Sequence, residues 1–320
     1  MSAPVPATAD APRARVLSID LLRGADVLLM LFVNEVAGVA GAPAFLLHTT
    51  ADADGMTITD LVFPAFLFIV GIAVPFALGG RLRRGQSRLE AWRHVVTRSL
   101  ALVVMGVLMV NAEHGVGGVL SPPVWNVLMT LGVLLVWGVP DDGWGRLRKP
   151  WLRATGMALL VFVALAYRGV DATGFIQLRP YWWGILGLIG WAYLGVATLY
   201  LLVGDRPAVL TGLIGLYGCI ALADAAGGFG WPAIPGPIVG PVLGTHGMTV
   251  LAGTLLGVLL RRHLHERGSG WRFAAGILGY AAALGAAGLL LNTLHDLHPA
   301  FRVNKIHATV PWGLLSSALT

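Results

Sequence analysis

Apolar residues run along this chain in long unbroken blocks, separated by short polar loops that carry nearly all the charge. The blocks fall at 24–43, 60–79, 96–111, 123–139, 154–170, 182–203, 207–225, 245–261 and 272–292, with a further apolar start at 308–320. Most run to ~17–25 residues, the length a helix needs to cross a hydrocarbon core. Period-2 alternation is absent, so the strands of a membrane barrel do not fit. The pattern predicts an all-α, polytopic integral membrane helix bundle of about 9–10 transmembrane helices. Residues 1–15 are rich in Ala and Pro and read as a disordered cytoplasmic N-terminus, with 16–320 as a single transmembrane domain. The last run, Val310 to Thr320, is too short to span; it reads as a packed half-helix or as the start of something longer.

Composition agrees with the pattern. Hydrophobic residues make up 56% of the 320 and charged residues only 12%, with a mean hydropathy of +0.75. A soluble domain carries roughly 25% charged residues, about twice as much. The net charge of +6 does not point to nucleic acid, because the basic residues sit in short loops between apolar blocks. When successive loops are assigned to alternate sides, all but four of the 22 Lys and Arg fall on one side. The exceptions are Arg168, Arg179, Arg302 and Lys305. The positive-inside rule makes the crowded side cytoplasmic, which predicts a multi-pass protein of the cell (inner) membrane with His48 at the outer face. The solitary Cys219 lies within an apolar block, so no disulfide framework or thiolate metal site is expected. It reads as a small buried hydrophobe.

Chemistry concentrates in one place. Between His48 and Pro75 a polar loop with a histidine, Asp52 and Asp54 passes into the second apolar block through Asp60 and Pro64. Asp60 is placed to face the orphan N–H groups and positive end of a helix, and Pro64 falls in or near its first turn. A neutral imidazole at His48 can take a proton from an attacking hydroxyl or amine, oriented by Asp52, Asp54 or Asp60. The competing reading is a solvated loop histidine. Asn34 lies mid-span, where an amide needs a partner: an interhelical hydrogen bond or a place in a site. Asp20 and Arg23 share a helical face at the inner boundary and read first as an ion pair. Arg98 begins a span from the inner side, where it either snorkels or meets a phosphate-bearing ligand. His295-x-x-His298 has no fixed third ligand, so no metal site is expected. Asn304, Lys305 and His307 either cap the site or bind an acceptor.

Several stretches carry a family resemblance. They are Ser18-Ile-Asp20-Leu-Leu-Arg23-Gly24, Leu31-Phe-Val33-Asn34, His48, Asp60-Leu-Val-Phe63-Pro64-x-Phe66-Leu-Phe68-Ile-Val-Gly71, Arg98-Ser99, Val110-Asn111 and Val303-Asn304-Lys305. Together they resemble the transmembrane acyltransferase family of heparan-alpha-glucosaminide N-acetyltransferase and its bacterial DUF5009-type relatives, most densely over 16–111. The resemblance implies an acyl-CoA-dependent acyltransferase. Acetyl-CoA or another acyl-CoA is then a co-substrate, with no tightly bound cofactor. A sugar or glycan accepts the acyl group at the outer face. His48, Asn34 and Asp60 become the catalytic candidates, with His48 as general base or acyl carrier. Asp20, Arg23, Arg98, Asn111, Asn304 and Lys305 become candidates for binding substrate. Met129-Thr130 stands where the lysosomal enzyme has a Gln-Arg pair. The expected partners are the lipid bilayer, acyl-CoA and the glycan, with a homodimer left open. A transporter, or a non-catalytic protein that keeps the fold, is the alternative.

Overall fold

The computed structural model describes residues 17–115, 117, 119–138, 148–169, 177–229, 239–266 and 269–320. The N-terminal stretch 1–15, Asp171 and much of the Gly/Pro-rich segment 227–244 lie outside the described residues. The described chain is all-helical: α1 (Leu17–Val36), α2 (Ile58–Arg83), α3 (Arg88–Glu113), α4 (Pro122–Val133), α5 (Arg148–Ala166), α6 (Gly184–Val203), α7 (Pro207–Ala225), α8 (Gly247–Glu266), α9 (Gly270–Asn292) and α10 (Val310–Leu319). A π-helical segment, Val239–His246, leads directly into α8. Every block predicted from the apolar pattern is a helix. α1 starts earlier than its block and stops before it, because Gly38, Gly41 (φ +79°) and Pro43 follow Val36.

Among the described residues six elements are long and apolar enough to cross a membrane: α2, α3, α6, α7, α9, and α8 with its π segment. The protein is therefore a multi-pass membrane protein. That is fewer than the 9–10 expected. The regions around α4, α5 and α10 are shorter apolar helices, and α1 carries Asp20, Arg23, Asp26 and Glu35 within its 20 residues. α1 buries only Ile19, Asp26 and Val33, a narrow stripe toward α2, and α9 buries only Leu284 and Gly288. Their other faces are exposed and largely apolar. Cys219 is exposed, a correction to the buried reading: α7 turns Leu210, Ile214, Tyr217, Gly218 and Ala221 inward and leaves the thiol on its outer side.

Small residues draw the central helices together. A Cβ on Gly253 would come within 2.0 Å of the Phe68 carbonyl, and one on Gly257 within 2.4 Å of the Ile72 carbonyl. This GxxxG spacing lets α8 lie against α2 backbone to backbone. Gly106 and Gly187 do the same for α3 and α6. The resulting core runs through α2, α6, α7, α8 and α10, while Trp125, Leu160, Val163 and Tyr167 form a separate cluster beneath α4 and α5.

α2 carries two prolines in its interior, Pro64 and Pro75. Pro64, expected in or near the first turn, falls in the second, because the helix begins at Ile58. A proline at position i has no N–H for the carbonyl at i−4. Here the freed carbonyls are Asp60 and Gly71, and both are claimed by side chains. The Trp312 indole N–H donates to the Asp60 carbonyl at 3.1 Å, and the Thr254 hydroxyl, shared with the Val250 carbonyl at 2.8 Å, reaches the Gly71 carbonyl at 3.2 Å. The sequence of α2 thus dictates where α8 and α10 dock.

Candidate active site

The site begins with a capping box. Thr57 is the N-cap of α2; its hydroxyl accepts from the Asp60 N–H, and the Asp60 carboxylate accepts from the Thr57 N–H at 3.1 Å. T-x-x-D before an apolar run is the local signature of this motif. Oδ2 of Asp60 also accepts from the Thr49 N–H at 3.2 Å and the Thr49 hydroxyl at 2.9 Å. The Thr57 hydroxyl donates to the Leu47 carbonyl and that of Thr59 to the Leu46 carbonyl, both at 2.8 Å, which fastens the loop 46–49 onto the helix end.

Oδ1 of Asp60 remains, and it meets Nδ1 of His48 at 2.7 Å. The carboxylate is 0% exposed, while the His48 side chain keeps 34% of its surface. An ionised carboxylate only accepts, so Nδ1 carries the proton in this pair and Nε2 is left with its lone pair. Nζ of Lys305 lies against the ring, 2.9 Å from Nε2 and 3.1 Å from Nδ1. Burial lowers the Lys305 pKa from its ordinary value, opposed by the nearby charge of Asp60.

Lys305 reaches the loop because two segments far apart in the chain are stitched together. The Asn304 amide donates to the carbonyls of Thr50, Ala51 and Ala53 at 3.0, 3.1 and 2.9 Å, and its Oδ1 accepts from the His307 N–H at 3.1 Å. Asp54 accepts from the Val303 N–H at 2.7 Å and the Asn292 amide at 2.9 Å. Gly55 N–H donates to the Val303 carbonyl at 2.8 Å.

Of the residues singled out from the sequence, the structure thus brings together His48, Asp60, Asn304 and Lys305. Asn34 sits two residues before the end of α1, exposed, its side chain without a hydrogen bond among the described residues. Asp20 and Arg23 pair with each other at 3.8 Å, and the Arg98 guanidinium lies 5.6 Å over the Tyr193 ring. Asn111 is buried at the same end of the bundle as His48, yet its amide is committed to the backbone. It donates to the Val107 and Arg179 carbonyls and accepts from the Arg179 N–H. Asp52 and Asp54 do not touch the imidazole. His295 turns to the Asn292 carbonyl at 2.9 Å and His298 to the Ala300 N–H at 3.1 Å.

Sequence reading missed Thr49 and Trp312. Thr57 was legible, since it stands three residues before Asp60. Trp312 was legible only in part: Pro64 announces a free carbonyl at Asp60, and nothing local says which donor takes it.

The comparisons with known proteins fall on this end of the chain. Residues 15–137 match the family described as "Domain of unknown function (DUF5009)". The similarity to that family covers well under half of the chain. The matched segment contains α1 to α4 together with His48 and Asp60, whereas Asn304, Lys305 and Trp312 lie beyond it. The heparan-alpha-glucosaminide N-acetyltransferase of Mus musculus is 33% identical over 134 residues, which is 42% of this chain and 19% of that protein. The Homo sapiens protein of the same name is 33% identical over 125 residues, 39% of this chain and 18% of its own length. The matched part thus spans about a fifth of the length of these curated relatives.

Proposed function

We propose that this protein is a membrane acyltransferase. It moves an acetyl or other acyl group from cytosolic acyl-CoA to a sugar or glycan at the outer face of the cell membrane. The observation that carries the reading is the part-exposed imidazole of His48, held on Nδ1 by a buried carboxylate and flanked by Lys305, at one end of a membrane bundle. The similarity to two N-acetyltransferases supports it.

In this reading Lys305 moves off Nε2 when the acceptor arrives. Nε2 takes the proton of the acceptor amine or hydroxyl as its nitrogen or oxygen bonds to the thioester carbon. The C–S bond then breaks, and the imidazolium returns the proton to the departing thiolate, releasing CoA. Asp60 holds the ring and faces the positive charge that forms on it. Asn34, at the same end of α1, holds the carbonyl or the imidazole. Arg23 and Arg98, in the basic half of the bundle, meet the phosphates of the donor, with Asp20 holding the Arg23 guanidinium. Asn304 places Lys305, and Asn111 shapes the wall through Arg179.

Single-turnover labelling tests the proposal. Detergent-purified protein receives radiolabelled acetyl-CoA with and without glucosamine, wild type beside His48→Ala. CoA release by the wild type that falls about 10²–10⁴-fold in the variant is expected for a lost general base. Equal release in both places the chemistry on another residue. Absence of acetyl-CoA binding in a folded wild type rejects the enzyme.

A further inference from the structure

Below Asp60, toward the bilayer interior, lies a second imidazole that the acyl-transfer scheme leaves idle. His246 is the last residue of the π-helical segment before α8 and is only 4% exposed. Its ring stands edge-on to Phe63, with centroids 5.2 Å apart at 90°, and to Trp312 at 6.1 Å and 73°. Phe63 follows Asp60 by three residues on α2, and Trp312 donates to the Asp60 carbonyl. His246 is therefore joined through one ring on each side to the residue that holds His48.

Three observations set this histidine apart from a packing residue. Nδ1 is buried and has no hydrogen-bond partner among the described residues. The hydroxyl of the preceding Thr245, 0% exposed, is in the same condition. Both sit in a π-helical turn, a costly geometry that recurs at functional sites. A buried polar atom without a partner is a cost that folding must offset, and an ionisable side chain at membrane depth marks a ligand path by default.

We propose that His246 is the donor-side residue of the site: its Nδ1–H donates a hydrogen bond to the thioester carbonyl oxygen of the acyl-CoA, with the Thr245 hydroxyl as a second donor. This rests on the acyl-transfer reading and deepens it. His48 serves the acceptor from the aqueous side, and His246 serves the donor from the bilayer side. The hydrogen bond grows stronger as the carbonyl oxygen gains negative charge, which is when it accelerates the reaction. Phe63 and Trp312, the latter presented by α10, pack against the imidazole and keep its surroundings apolar.

Two measurements on the full chain test the assignment. The first is a difference infrared spectrum of acetyl-CoA, ¹³C-labelled at the carbonyl, bound to the His48→Ala protein, in which turnover is blocked. The carbonyl band is expected at lower wavenumber than for free acetyl-CoA, and back at the free position when His246→Phe is added. The second is single-turnover CoA release. His246→Phe keeps the ring and removes the donor, and is expected to slow release about 10²–10³-fold with little change in acetyl-CoA affinity. His246→Gln, which restores an N–H, is expected to regain part of that rate, and Thr245→Val to show a smaller loss. An unshifted band in the His48→Ala protein overturns the assignment whatever the variants at 246 do. Release by His246→Phe at the wild-type rate also overturns it. A shifted band in a protein whose wild type never releases CoA keeps the donor site and rejects acyl transfer instead.

Discussion

Asp60 performs two tasks with one carboxylate. Oδ2 caps the helix and receives Thr49, which leaves Oδ1 free to orient His48. Because the cap fixes the carboxylate, the imidazole it holds is fixed too. The two asparagines at this end, Asn111 and Asn304, work on backbone rather than toward the imidazole. Lys305 is the residue with a pH signature. Burial holds its pKa below the ordinary 10.5, so the folded state disfavours a proton that the unfolded chain keeps. The unfolded chain then binds more protons between the two pKa values, and stability rises with pH through that window. Lys305→Met removes the group. Its unfolding midpoint in detergent, relative to wild type, is therefore expected to be most favourable near neutrality and to lose ground as the pH is raised. A difference that stays constant with pH would mean the ammonium costs nothing where it sits.

The prolines of α2 organise the next scale. Each frees one carbonyl, and the two helices that supply donors, α8 and α10, are the two that complete the core around α2. α10 buries Val310 through Leu314 and both Ser316 and Ser317 although it has only ten residues. Trp312→Phe keeps the packing and strands the Asp60 carbonyl, at an expected cost of about 1–3 kcal/mol. In a Pro64→Ala background residue 64 regains an N–H for that same carbonyl, so the cost of Trp312→Phe is expected to shrink. A double-mutant cycle of denaturation measures the coupling. Equal costs in both backgrounds would show that the indole N–H matters for something other than the proline. Replacing Gly253 or Gly257 with a large residue would instead force α8 off the α2 backbone.

At the scale of the molecule the two ends of the bundle differ. One gathers His48, Asp54, Asp60, Asn304 and Lys305; the other carries Arg81, Arg83, Arg84, Arg88, Arg206, Arg261 and Arg262 at the ends of α2 and α8 and the starts of α3 and α7. The second end is also tied across helices. Arg261 pairs with Asp205, donates to the Pro75 carbonyl at 2.6 Å and reaches the Tyr200 hydroxyl at 3.3 Å. Positive charge on one side sets the orientation during insertion. Asp296 and Arg84, both exposed, mark the two ends. With Cys219 replaced by serine, Asp296→Cys is expected to react with an impermeant maleimide in intact spheroplasts, and Arg84→Cys only after permeabilisation. The reverse pattern would place His48 in the cytoplasm and reject transfer across the membrane.

Much of this was determined by sequence alone, because the forces concerned act along one dimension. Apolar length sets which segments are helices in a bilayer, basic loops separate the two ends, and T-x-x-D with a nearby histidine marks a capped helix start with a base beside it. These depend on neighbours within about a dozen positions; His48 and Asp60 are 12 apart. The remainder was decided by tertiary structure. Lys305 meets His48 across 257 positions, and Trp312 meets the backbone of Asp60 across 252. No periodicity encodes such pairings, since they follow from how glycine-faced helices close on one another. The same closure put Asn34 on an exposed face and Cys219 outside, and it buried His246 between two rings with a nitrogen that no described residue satisfies.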